Sequence, residues 1–252
     1  MTWQRKIRMT GNSDFFEAFA ASYCDYYRDV DAGEAVRHWT RLLRAAGVNW
    51  ATNKVDGTNP TLLDLGCGPG WHLGPWGDQG FDVCGLDSSP SMLEIARSHP
   101  GNGPPKRLYC ANILNPASIG QLNQRFDRIV SHFNFLNLFA PQELDALFDS
   151  ISTLMAPKGL FAFDYSPKPT ISAADDTSGI ETIKTEGTER TIVRRWNLSD
   201  GTVDEIYWFH DIEQLRRISS RHSLCVLHIL NWPLSDNLPG TRNLIIAGKD
   251  EP

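Results

Sequence analysis

The chain has 252 residues, 41% hydrophobic and 21% charged, with 24 Lys and Arg against 30 Asp and Glu for a net charge of −6. Such a length gives one to two domains with a core large enough to need no staple, and the composition rules out wholesale disorder. The acidic balance argues against duplex nucleic acid as the main partner. No apolar run approaches the ~20 residues of a membrane span. The basic start, Met1 to Arg8, lacks the apolar stretch of a signal peptide. Five scattered cysteines (Cys24, Cys67, Cys84, Cys110, Cys225) form no C-x-x-C pair, so neither structural zinc nor a disulfide framework is expected, and a reducing cytoplasm fits. Three of the five fall in apolar, strand-like runs and read as buried thiols.

Along the chain, two helix-like stripes come first, one of Phe15, Phe16, Phe19, Ala20, Tyr23 and Tyr27, the other of Val36, Trp39, Leu43 and Ala46. From Thr61 short apolar runs alternate with helical segments. Strands are expected at 61–65, 81–87, 107–110, 126–131 and 160–164. Ser89-Pro90 caps and opens one helix, and Pro141 opens another that carries Leu144, Leu147, Ile151 and Leu154. Such alternation predicts a parallel sheet covered on both faces. A polar loop then leads to three β-like runs, Ile180–Lys184, Thr191–Trp196 and Val203–His210, joined by good turn chemistry and read as an inserted antiparallel sheet. Asp211 and Gln214 form a capping-box pattern, and runs at 224–230 and 243–247 finish the chain.

The chemistry concentrates in Asp64-Leu65-Gly66-Cys67-Gly68-Pro69-Gly70, a glycine loop after a strand, with Asp87 closing the next strand. Glycines let backbone approach a ligand closely, and a following helix start offers free N–H groups. A carboxylate at Asp87 can accept from two ribose hydroxyls. Either a dinucleotide or S-adenosylmethionine suits this arrangement. The dinucleotide pattern G-x-G-x-x-G requires glycine where Trp71 stands, so the methyl donor is favoured.

Leu62–Gly70 and Val83–Ser89, continued by Pro90-Ser91-Met92-Leu93, resemble the first two motifs of the class I S-adenosylmethionine-dependent methyltransferases, and the similarity runs over about residues 15–247. The resemblance implies a doubly wound, Rossmann-like α/β sheet of seven strands, one of them antiparallel. It also implies a donor site made from Tyr23, Asp64, Gly66, Cys67, Gly68, Gly70, His72, Asp87, Ser88, Met92, Asn112, Ile113 and Ser131. Asn112 stands where the family usually has an Asp facing the adenine amine, and its oxygen can still accept. More narrowly, Tyr23 and Tyr27, Trp71-His72-Leu73 and Phe209-His210 resemble the small-molecule subgroup that includes N,N-dimethyltransferases of macrolide aminosugars; Cys24 replaces an aspartate common there. Ser131-His132-Phe133-Asn134-Phe135 follows the fourth strand in place of an N/D-P-P-Y, which speaks against methylation of nucleobases or protein amides.

His132 lies where strand carboxyl ends face a ligand crevice, with Asn134 and Asn137 in the same loop. In the last inserted strand, a period of two sets Asp204, Ile206, Trp208 and His210 on one face and Glu205, Tyr207 and Phe209 on the other. A carboxylate, aromatics and His210 are expected to line a pocket for a polar or cationic substrate. Tyr27, His132 and His210 are the candidate catalytic residues. No cluster has metal-ligand spacing.

The expected organisation is an N-terminal helical lid at 1–57, a donor-binding core at 58–165, an inserted substrate cover at 166–210 and completion of the core at 211–252. The expected function is transfer of a methyl group from S-adenosylmethionine to a small molecule, to nitrogen before oxygen, with a homodimer allowed. The alternatives are a nicotinamide-dependent oxidoreductase and a cofactor-binding protein without its own catalysis.

Overall fold

A computed structural model of the chain describes residues 12–50, 58–99, 107–167, 180–184, 191–198, 201–233 and 241–249. The basic start, most of the polar loop after β5 and the turn at 186–188 lie outside the described residues.

Strands β1 (Thr61–Leu65), β2 (Asp82–Asp87), β3 (Arg107–Cys110), β4 (Phe126–Ser131) and β5 (Met155–Tyr165) run parallel. With β9 (Leu224–Pro233) and β10 (Thr241–Lys249) they form one sheet in the order β3-β2-β1-β4-β5-β10-β9. Only β10 is reversed, antiparallel to both neighbours. The seven-stranded sheet with one antiparallel strand is therefore present. Its central strands are rich in apolar residues because both faces are covered: Leu62, Leu63 and Leu65 are fully buried. Edge strands behave differently. Cys84 on central β2 is buried, whereas Cys110 on β3 and Cys225 on β9 are exposed, against the buried reading of strand cysteines.

Helices follow local chemistry. Ser89 caps α4 (Pro90–Ser98) by accepting from the Met92 amide at 3.1 Å, with Pro90 at the first position. Asp211 caps α7 (Ile212–Arg221) through the Glu213 amide. The helix after the glycine loop, α3 (Leu73–Asp78), is only 6 residues long, shortened by Gly74, Pro75 and Gly77. α5 (Pro116–Gly120) and α6 (Leu144–Leu154) complete the crossovers. β5 starts earlier than expected: Met155 pairs with Phe126, residues 156–159 bulge out, and Leu160 resumes pairing with Arg128.

Among the described residues no helix is long and apolar enough to cross a membrane. α1 (Asn12–Tyr26) and α2 (Ala32–Ala45) precede the sheet. α2 is anchored in the core, since Val36, Trp39 and Leu43 share one buried cluster with Leu62, Leu73 and Trp76. Each such aliphatic side chain contributes roughly 1.5–3 kcal/mol when fully buried. α1 instead packs Phe15 and Phe19 on Trp196 of the second sheet. That sheet is antiparallel, in the order β6 (Ile180–Lys184), β7 (Thr191–Leu198), β8 (Gly201–Trp208). β8 ends at Trp208, two residues before the expected His210.

Candidate active site

The cleft opens at the carboxyl ends of β1, β2 and β4, where a doubly wound sheet places ligands. Gly66 and Gly68 have φ of +67° and +51°, left-handed values that a Cβ disfavours. At Gly66 a Cβ would come within 2.4 Å of the Phe135 ring, whereas at Gly68 it would meet nothing within 4 Å. The loop is tied to β2: Gly66 donates its amide to the Leu86 carbonyl at 2.8 Å, and Gly68 donates to Asp87 Oδ2 at 2.8 Å. Asp87 Oδ1 accepts the Ser89 amide at 2.9 Å. Burial raises the Asp87 pKa, opposed by these amide bonds.

A cavity of about 440 Å³ runs from this loop to the second sheet. Gly66, Cys67, Gly68, His72, Asp87, Ser88, Met92, Asn112 and Ile113 line one part. Tyr23 and Tyr27 of the N-terminal segment face it, as do His132 and, from the second sheet, Glu205, Tyr207 and Phe209. Four candidate residues are not on the wall: Asp64, Gly70, Ser131 and His210. Asp64 is buried on β1, its Oδ2 has no partner, and burial pushes its pKa well up, with Asp87 adding to the effect. Ser131 Oγ is likewise buried and unpartnered. Gly70, in the left-handed region at φ +80°, closes the turn by donating to the Cys67 carbonyl.

His210 is the main correction. It is buried with Nε2 3.3 Å from the Leu136 carbonyl, beside the short 3₁₀ turn Phe135–Leu138. β8 ends at Trp208, and the chain beyond it turns so that Phe209 meets the cavity while His210 packs against the Leu136 carbonyl. Glu205 is 3% exposed, and it accepts from Trp196 Nε1 at 3.1 Å and from the Tyr207 hydroxyl at 2.8 Å. Asn112 lines the cavity, and its Oδ1 accepts the Leu114 amide at 2.9 Å, which builds a local turn.

The loop after β4 is strained. Phe133 and Asn134 both have positive φ, 59° and 58°, a cost that persists only where surrounding bonds fix it. Here the Asp164 carboxylate accepts the Asn134 amide at 2.7 Å, and Asn134 Oδ1 accepts the Ser166 hydroxyl at 3.1 Å. Just before it, His132 stacks between Trp39 and His72 at ring separations of 4.0 and 3.9 Å. Burial lowers the His72 pKa to about 3, and burial raises the Cys67 thiol well above its usual value, so neither is charged at neutral pH. Trp71, Tyr26 and Phe133 also line the cavity without being among the candidate site residues. Trp71, at the position that excluded the dinucleotide pattern, was the one with a clue.

Residues 62–159 match a family model described as a methyltransferase domain. The chain carries a methyltransferase domain and is an enzyme. No protein of the curated set matches it. Its fold is similar to an S-adenosylmethionine-dependent methyltransferase from Clostridium acetobutylicum, with 16% identity, TM-score 0.63, and coverage of 94% of this chain and 100% of that one. It is also similar to CalS10, an amino pentose methyltransferase from Micromonospora echinaspora solved with bound S-adenosylmethionine, with 20% identity, TM-score 0.60 and coverage of 92% and 97%. The glycopeptide N-methyltransferase MtfA shares 18% identity at TM-score 0.59 over 88% and 95%. At these identities the likeness shows the fold. It places the methyltransferase domain of residues 62–159 inside a complete α/β sheet.

Proposed function

We propose that this enzyme transfers a methyl group from S-adenosylmethionine to the nitrogen of a small-molecule amine, as a cytoplasmic protein whose five thiols are all free. The residues fit the donor. The space beside Gly68 lets a ligand lie against the backbone, Asp87 presents a half-buried carboxylate for ribose hydroxyls, and Asp64 keeps an unpartnered carboxylate oxygen beneath the loop. When bound, S-adenosylmethionine supplies an electrophilic methyl group on a sulfonium. Everything else the chain does is binding, orientation and exclusion of water.

One observation carries the amine reading. The same cavity that begins at the glycine loop ends at Glu205, a buried carboxylate among Tyr23, Tyr27, Tyr207 and Phe209. Carboxylate and ring faces together favour a cationic or polar nitrogen ligand over an anionic one. The amino pentose and glycopeptide N-methyltransferases among the structural neighbours support the same class. α1 and the second sheet cover the site in this reading, with Tyr23 and Tyr27 as wall residues, and His132 orienting the acceptor. The test is turnover: S-adenosylmethionine is incubated with the enzyme and a panel of arylalkylamines, aminosugars and phenols, and S-adenosylhomocysteine is read by mass spectrometry. N-methylated amines are expected; exclusive methylation of phenols would overturn the preference, and donor binding without turnover of any acceptor would favour a binding protein.

A further inference from the structure

His132 faces the cavity, and its ring is fixed by three neighbours. Trp76 Nε1 lies 3.1 Å from His132 Nε2, and both residues are buried. An indole N–H only donates, so His132 Nε2 must accept and carries no hydrogen. In a neutral imidazole the proton is then on Nδ1. Stacking holds this arrangement: the His132 ring is 5° from parallel with His72 and 29° from Trp39. Turning the ring over would put a carbon against the indole N–H and leave that donor buried without a partner, which is costly.

We propose that His132 is a fixed neutral imidazole with its proton on Nδ1, whose Nε2 is held by Trp76 and does not take the acceptor's proton. Adding a proton at Nε2 would set two N–H groups against each other, His132 Nε2–H and Trp76 Nε1–H. The elements around the stack bring few charges to it. α2 contributes Trp39 and, further out, His38; the segment leading into α3 contributes His72, which burial keeps neutral. β1 carries the buried Asp64, and β5 carries Asp164, whose Oδ1 accepts the Asn134 amide. The consequence for the acceptor, which rests on the proposed function, is chemical: it must arrive with a free lone pair. A neutral amine satisfies that, and an aliphatic alcohol that needs a base does not.

The experiment reads the ring directly and needs no acceptor. Protein labelled with ¹⁵N-histidine is followed by long-range ¹H–¹⁵N correlation from pH 5 to pH 9, with His132→Gln used for assignment. The expected result is an unprotonated Nε2 and a protonated Nδ1 throughout, with no titration in that window. Trp76→Phe removes the indole donor, and titration of His132 should then appear inside the window. An Nε2–H tautomer, or a doubly protonated ring at pH 6 in the wild type, would overturn the proposal; the wild-type spectra decide even where Trp76→Phe does not fold. Absence of methyl transfer with every acceptor would sink the proposed function and leave these resonances unchanged.

Discussion

Glu17 on α1 accepts a hydrogen bond from the Ser89 hydroxyl at 2.5 Å, while the Ser89 amide donates to Asp87 at 2.9 Å. One residue thus joins the N-terminal helix to the carboxylate assigned to the donor's ribose. Ser91 adds its amide at 3.2 Å and its hydroxyl at 2.5 Å to the same Glu17 carboxylate.

These bonds, Ser89 first and Ser91 second, hold the Glu17 pKa below its usual 4.5. A depressed folded pKa means the contribution is present above 4.5 and is lost as pH falls through the lowered value. Hydrogen exchange tests this. At pH 7, Glu17→Ala should speed exchange of α1 amides about threefold to tenfold while β1 and β4 stay protected. The same loosening should appear in the wild type only well below pH 4.5.

Two glycines of one loop should fail differently. Gly66→Ala sets a Cβ 2.4 Å from the Phe135 ring on a left-handed backbone, so it should cost about 2–4 kcal/mol in urea unfolding. Gly68→Ala meets only open cavity, so it should cost about 1 kcal/mol of backbone strain. Its larger effect should be on S-adenosylmethionine affinity, because its Cβ occupies the ligand's space.

Most of the sheet is legible from sequence because the central strands are buried on both faces and bounded by Gly and Pro. Asp87 at a strand end and the alternating glycines made the donor half of the cavity legible in the same way. Other features depend on contacts that no local spacing carries. Trp39, Trp76 and His132 come from α2, α3 and the end of β4, so their stack is invisible in any window. His210 was misplaced because β8 ends at Trp208 and the chain then turns to the Leu136 carbonyl. The bulge at residues 156–159 hid the first part of β5 behind Pro157 and Gly159.

Asp64 is a buried carboxylate whose pKa burial raises well above 3.8. A raised folded pKa means that stability falls as pH rises from 3.8 toward that raised value. Asp64→Asn should therefore stabilise the ligand-free protein at pH 7, by about 1–3 kcal/mol, because it removes the cost of keeping a carboxyl protonated above its ordinary pKa. Thermal melts of the two proteins should converge below pH 3.8, where Asp64 is protonated in both the folded and the unfolded chain.

Asn137 is fully buried and holds two backbones together. Its Nδ2 donates to Ser166 O at 3.0 Å and to Trp208 O at 2.7 Å, and its Oδ1 accepts the Ser166 amide at 3.1 Å. Asn137→Ala would orphan all three groups and should cost about 2–4 kcal/mol in urea unfolding. A loss under about 0.5 kcal/mol would show that β8 is held to the core by other contacts.

Calorimetric titration of S-adenosylmethionine and NADH into the wild type and Asp87→Ala tests the donor assignment most directly. Two ribose hydroxyls on one half-buried carboxylate form charge-assisted bonds, worth together about 2–4 kcal/mol. The wild type should bind S-adenosylmethionine and not NADH, and Asp87→Ala, still folded by circular dichroism, should bind the donor about thirty- to a thousandfold more weakly. Tighter binding of NADH, or equal donor affinity in the two proteins, would contradict a methyl-donor site built on the glycine loop and Asp87.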